Sequence, residues 1–418
     1  GNRPPMSTEA QKSNDAAVTL GKLAIFACCY IESGYVPIAP FLVSKVQVGA
    51  LLSVQYFAGF LSLVPAGLAI DTWGPLLVLR NVLRAACVGV VVGAVLPHFY
   101  CQLISRAIIG AAGSALFNAC MALIMERFSE PLRSRYLGAA VGFGTLGNMI
   151  GPPLIGATFD VASSIDVPRP ECWALLHPVL LLFLCQKFLA DVSGPTCASA
   201  PLLQEPDCER SLFTRAFGVY LAVGSRACVL ALELLCIFGC AGAAITASAT
   251  ELHRSHFSSS AIGLTAVPAG LMQSLASQWA GRYANSAMNR EHVLLACPPL
   301  LSLGMLCIAF LTSYSSNLLL PIVLALMIGN AANGVVDPTS MSMMADLAKS
   351  QGYGFGQAVT ASEMAVSLGL GLGPWLATQV LRFGDFSTLC VVIATCAMLV
   401  SFPAARLLRG VEHEDADQ

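Results

Sequence analysis

The sequence predicts an all-α membrane protein of twelve transmembrane helices in two six-helix halves. Of its 418 residues 56% are hydrophobic and 11% charged, where soluble proteins carry roughly 25% charged residues. Mean hydropathy is +0.72. Apolar runs long enough to cross a bilayer, each about 20 residues, recur along the whole chain. The basic residues fall mostly on alternate breaks between those runs.

The runs are placed near 18–43, 46–70, 75–97, 99–124, 135–158 and 172–190, then, after a polar stretch, near 224–250, 260–281, 292–313, 317–346, 354–381 and 387–408. This divides the chain into a tail (1–17), a six-helix bundle (18–190), a central loop (191–223), a second bundle (224–408) and a closing tail (409–418). The run from Ala17 is too long for the apolar core of a cleavable leader and reads as the first span. With the N-terminus cytoplasmic, 16 of the 22 Lys and Arg residues lie on the cytoplasmic side. Only Lys45, Arg169, Arg254 and Arg382 lie on the other, with Arg84 and Arg106 inside spans. An odd number of spans would scramble that positive-inside bias.

Composition also excludes. A net charge of −2 and no run of basic residues give no footing for nucleic acid. Neither a nucleotide-binding Gly-rich Lys motif nor a zinc-protease or serine-nucleophile pattern is present, so the chain is not read as an enzyme. His253-x-x-His256 lacks a third ligand nearby and reads as a solvated loop; no metal or cofactor is expected. The cysteines within apolar runs, such as Cys28, Cys29, Cys185, Cys236 and Cys240, read as small buried hydrophobes.

Function is sought where polarity is expensive. Asp337 lies inside the tenth run, with Asn330 and Asn333 seven and four residues before it. At 3.6 residues per turn the three share a helix face, a stripe that lipid rejects and a water-filled cavity accepts. Glu32, Glu233 and Glu363 are further acids within apolar runs, against the buried-cation candidates Arg84 and Arg106. Arg84 reads as snorkelling or bracing; Glu233 either snorkels toward the cytoplasmic end or serves the cavity. In the fifth run, Gly138, Gly142, Gly147, Gly151 and Gly156 allow close helix approach, and Pro152-Pro153 interrupts hydrogen bonding. Leu146-Gly147-x-x-x-Gly151-Pro152 recurs as Leu368-Gly369-x-x-x-Gly373-Pro374 in the eleventh run, the matching place of the second half. Internal repeats of this kind put a transporter's substrate site near the midplane between halves.

Gly147-x-x-x-Gly151-Pro152-Pro153-x-x-Gly156 resembles the fifth-helix antiporter motif of the major facilitator superfamily, and Arg106-x-x-x-Gly110-x-x-Gly113 resembles its fourth-helix motif. Gly67-Leu-Ala-Ile-Asp71-Thr-Trp-Gly74 is similar to its loop motif between helices two and three, with Thr72 where a basic residue is usual. Gly334-Val-Val-Asp337, Met343-Met344-Ala-Asp346-Leu347, Tyr353-Gly354, Ala358, Glu363 and Gly373-Pro374 resemble the vesicular transporters of monoamines, acetylcholine and polyamines. The resemblance implies the major facilitator fold, a proton-transfer role for Arg106, and proton-coupling and cation-binding roles for Asp337 and Glu363. The chain departs from that pattern where Cys28 replaces a first-helix aspartate, with Glu32 one turn later. Gln55 replaces a second-helix lysine, and Ala244 stands near a seventh-helix glutamate.

The expectation is a monomeric, multi-pass carrier of the plasma or a vesicle membrane, both termini cytoplasmic, exchanging protons for an organic cation in a cavity lined by Glu32, Gln55, Asn330, Asn333, Asp337 and Glu363. Burial favours a neutral carboxyl group and a bound cation favours the ionised one, so proton and amine compete. Tyr35, Tyr56 and Phe57 are candidates for cation–π contacts, although aromatics at such positions more often serve packing. The alternatives are a facilitator for a neutral or anionic metabolite that Arg106 meets, and a non-transporting receptor on the same fold.

Overall fold

The computed structural model describes residues 8–128, 130–192, 218–221, 224–284, 287–315, 317–351 and 355–408. The helices of the first half are α1 (Thr8–Gly34), α2 (Ala39–Leu42), α3 (Lys45–Trp73), α4 (Pro75–Val95), α5 (Phe99–Arg127), α6 (Glu130–Ser164), α7 (Pro170–Leu176) and α8 (Val179–Asp191). Those of the second are α9 (Ser225–Arg254), α10 (Ser259–Leu264), α11 (Ala266–Tyr283), α12 (Ala287–Tyr314), α13 (Leu319–Ser350), α14 (Phe355–Phe383) and α15 (Phe386–Leu408). Among the described residues ten stretches are long and apolar enough to cross a membrane, α7 and α8 counting together as one. Helix α6 and the α10–α11 pair complete twelve spans. The central loop and both tails lie outside the described residues, apart from 8–17, 191–192, 218–221 and the chain before α9.

Local chemistry sets where spans begin, bend and stop. The first helix starts ten residues before the predicted run, at Thr8. Its opening turns are polar in sequence, so the helix runs on beyond the apolar stretch. It ends at Gly34, before Val36-Pro37, and the chain turns through 35–38 into α2. A residue preceding proline is pushed out of the helical region, which accounts for the stop. The sixth span breaks between α7 and α8 at His177-Pro178, and the eighth breaks at Thr265, whose hydroxyl donates back to the Ile262 carbonyl. Pro152 and Pro153, expected to interrupt the fifth span, sit inside a continuous α6. They remove their own donors, but the packed neighbours hold the helical path. Gly74 separates α3 from α4 at φ 81°, a conformation open to glycine and strained for other residues.

Each half has its own apolar core. Leu20, Leu51, Leu79, Leu116 and Ile124 belong to the first, and Leu230, Leu234, Leu294, Ile322 and Leu389 to the second. The internal repeat is realised in packing. A β-carbon at Gly147 or Gly151 would strike the backbone of α1 at Phe26 and Tyr30, while one at Gly369 or Gly373 would strike α9 at Leu235 and Gly239. The fifth span thus lies against the first as the eleventh lies against the seventh.

The halves meet at the end opposite the termini. There Lys45 Nζ lies 2.9 Å from Glu251 Oε1. The Asp160 carboxylate accepts from the Ser259 and Ser260 amides at 3.1 and 2.7 Å. The His253 ring meets Phe41 edge-on with centroids 4.3 Å apart. The His253/His256 pair, expected in a solvated loop, is therefore split: His253 ends α9 against Phe41, and His256 follows at φ 62°. Among the described residues no group of side chains forms a metal site.

Candidate functional site

Arg106 organises the first half. It is 1% exposed on α5, and its guanidinium carbon stands 4.1 Å from the centroid of the Tyr35 ring. Nη1 donates to Gln55 Oε1 on α3 at 3.5 Å, and Nε has no hydrogen-bond partner. The approach depends on Gly110, one turn along α5, where any β-carbon would collide with the Gln55 carbonyl. Tyr35 is fixed in turn: its hydroxyl donates to Gln102 Oε1 at 3.3 Å, and Gln102 Nε2 donates to the Gly93 and Leu96 carbonyls. The ring expected to receive a substrate cation instead receives Arg106.

Glu32, near the end of α1, lies within electrostatic reach of Arg106 and Tyr56. The Cys28 thiol donates to Glu32 Oε1 at 3.4 Å. Gly113 makes room for the carboxylate, since a β-carbon there would collide with Oε1. Cys28, where the amine-transporter pattern has an acid, thus contacts the acid one turn later.

In the second half, Asp337 and Glu363 have no cation among their electrostatic neighbours within the described residues. Glu363 on α14 feels the charges of Asp337 on α13 and, across the interface, of Glu32 on α1. Glu363 thus links Asp337 to Glu32, and each of the three acids is half-buried. Helices α3 and α14 close over it, with Gly371 packed on the Phe57 ring. Phe57 is therefore packing, not a free aromatic face. Pro338 follows Asp337 directly and, having no N–H, leaves the Gly334 carbonyl without its helical donor. The polar stripe on α13 is only partly directed outward: the Asn330 amide donates to Leu326 of its own helix at 2.9 Å, while Asn333 is 5% exposed with Oδ1 unpartnered.

Two acids and bases read from the sequence are placed elsewhere. Glu233, expected to snorkel or to face the cavity, is 0% exposed with neither carboxylate oxygen hydrogen-bonded. Its electrostatic neighbours are Cys236 and Cys297, inside the core of the second half. Arg84, read as snorkelling or bracing rather than as a cavity cation, is exposed on α4. Arg106 stays on the first-half side, with Gln55, Tyr35 and Glu32. Sequence reasoning missed the His177 to Tyr30 hydrogen bond of 2.6 Å at the α7–α8 break. Pro178 beside a membrane-depth histidine was the available signal.

The conformational motifs divide similarly. Gly147, Gly151 and Gly373 are close-approach positions, and Pro152 presents its carbonyl to Gly263 of α10 across the interface. Pro374 presents its carbonyl to Gly49 of α3. Gly67 faces open space, and Gly74 ends its helix. The Asp71 side chain, Tyr353 and Gly354 lie outside the described residues.

The fold that carries these residues has counterparts among known proteins. The family model of the Major Facilitator Superfamily matches residues 23–200, most of the first half. Similar solved structures include a bacterial homologue of the human lysosomal transporter Spinster in an inward-facing, unoccupied conformation, at 17% identity and TM-score 0.67, covering 97% of this chain and 98% of that one. The human organic anion transporter MFSD10 follows at 18% identity and TM-score 0.64, covering 96% and 100%. A mutant of the nucleoside transporter NupG has 13% identity and TM-score 0.68, covering 94% and 99%. No curated protein sequence matches. The chain therefore has the twelve-helix major facilitator fold, that of an integral, multi-pass membrane protein.

Proposed function

We propose that the protein is a proton-coupled antiporter that moves an organic cation or amine by alternating access. The observation that carries the reading is that Glu363 of the second half interacts with both Asp337 and, across the interface, Glu32, while of these acids the buried Arg106 acts on Glu32 alone. Ionised carboxylates at such depth repel each other and are poorly solvated, so they favour a proton or a substrate cation between them. Gln55 and Arg106 hold the first-half wall, and Asn330 and Asn333 supply polar surface beside Asp337. Glu233 contributes through the core of the second half and not through the cleft. The contacts between halves at the end away from the termini support a state facing the terminal side. The charge asymmetry along the sequence makes that side the cytoplasm, in a plasma or vesicle membrane, with the carrier working as a monomer.

Uptake into proteoliposomes with an imposed pH gradient, screened over amines, polyamines, sugars and organic anions, tests this directly. Amine accumulation that collapses with the gradient is expected; accumulation of only neutral or anionic solutes would overturn it. One observation favours that second reading, in which the acids serve coupling alone. Arg106 keeps an unpartnered, buried Nε donor that suits an anionic or nucleoside-like group.

A further inference from the structure

We propose that the mouth at which the two halves meet is an anion-binding vestibule, formed by Lys45, Arg254 and Arg382, whose occupant competes with Glu251 for Lys45. A cavity of about 610 Å³ opens there between the ends of α3, α9 and α14, and these three side chains line it. Only Arg169 is missing from the four basic residues that the charge pattern assigns to that side. Three of four converging on one hollow is a strong local excess on a face otherwise poor in positive charge. The volume lies in the range of small-molecule sites, roughly 300–1,000 Å³.

One carboxylate faces this cluster. Glu251 is 5% exposed, 2.9 Å from Lys45 Nζ and 3.7 Å from Arg254 Nη1. Asp385, three residues beyond Arg382, is turned away: its Oδ1 accepts from the Thr388 amide and hydroxyl, both at 2.8 Å. The cavity thus has three cations against a single buried acid. Helix polarity explains part of the placement, since cations suit the last turns of α9 and α14. It does not explain Lys45, which opens α3 at the helix end that disfavours positive charge. Nor does polarity account for the hollow between the three. Arg254 remains 73% exposed at its side chain and Arg382 lies over the Phe383 ring at 5.4 Å, so both guanidinium groups keep free donors toward the cavity. The ligand chemistry is a carboxylate or phosphate group, carried either by a small polyvalent solute or by an anionic lipid headgroup. Because Lys45 also ties the two halves through Glu251, such a ligand would loosen that tie. The inference uses no residue of the central cleft and stands or falls separately from amine antiport.

Calorimetric titration of citrate into the purified protein in nanodiscs of neutral lipid, at low ionic strength, tests it. Saturable binding is expected, weakened at least about threefold by Arg254→Gln and by Arg382→Gln, unchanged by Arg169→Gln, and strengthened by Glu251→Gln. Nanodiscs of anionic lipid distinguish the two sources: lost citrate binding assigns the vestibule to a headgroup, and retained binding assigns it to a solute. Absence of saturable citrate binding in neutral nanodiscs overturns the proposal. So does binding that the two arginine variants leave unchanged, or that Arg169→Gln weakens equally. Glu251→Gln weakening citrate binding overturns the competition with Lys45. Helical circular dichroism and gel filtration of each variant establish that it is folded.

Discussion

The two halves share a packing scheme and differ in how they treat charge. In the first, the α6 glycines seat against α1, and the buried Arg106 is answered by Gln55, the Tyr35 face and Glu32. In the second, the α14 glycines seat against α9 in the same relation, but the charges acting on Glu363 are both carboxylates and Glu233 has no hydrogen-bond partner. Backbone proximity is thus a repeated property, while charge compensation is not. On the proposed function, the difference gives a holding role to Arg106 of the first half and a titrating role to Asp337 and Glu363 of the second.

Neutralising Asp337 should produce the largest functional effect. Asparagine keeps nearly the same volume, so Asp337→Asn is expected to fold normally and to lose proton-driven accumulation altogether. Uptake beside a thermal unfolding curve decides it, and a variant that still concentrates substrate would end the assignment of titration to the second half.

The counterpart in the first half should fail differently. Arg106→Gln removes the charge-assisted contact to Gln55 and the electrostatic pull on Glu32, with an expected stability loss of about 2 kcal/mol. If Asp337→Asn proves the more destabilising of the two, the holding and titrating roles are exchanged. Large side chains at the repeated glycines sharpen the shared part of the comparison. Gly151→Leu and Gly373→Leu should each cost roughly 1–3 kcal/mol by overpacking, whereas Gly67→Leu, facing open space, should cost little. Thermal midpoints of the three, with Leu154→Ala as a half-exposed control, check whether the two seats are equivalent.

Smallest is the cap of the last helix. The Thr388 backbone amide holds the Asp385 carboxyl below the usual carboxylate range. Asp385→Ala is expected to cost about 1 kcal/mol near neutral pH. A depressed folded-state value means that this contribution is full above the unfolded value and fades as pH falls through the folded one. The difference between wild type and variant should therefore close in acid, and a difference that widens there would contradict the cap.

Asp337, Glu363 and Glu32 were legible as candidates because an ionisable group in an apolar run is expensive wherever it points. The resemblance put them in one cavity; which of them act on each other depends on how α1, α13 and α14 cross. Glu233 shows the limit clearly: the same expense marks it, yet its position within a packed core, away from the cleft, is a matter of helix rotation. Tyr35 similarly reads as an available aromatic until Arg106 is seen beside it.

By itself the sequence determined the spans, their number, the charge asymmetry and the repeated glycine seats, since the bilayer enforces length and polarity residue by residue. Span ends moved where proline geometry or a polar opening turn governed, as at Thr8 and His177-Pro178. Only the tertiary structure decided which charges share a neighbourhood and which basic residues gather at the mouth. Electrostatic coupling falls with distance between side chains that lie far apart along the chain, and those distances are fixed by the packing of the two halves.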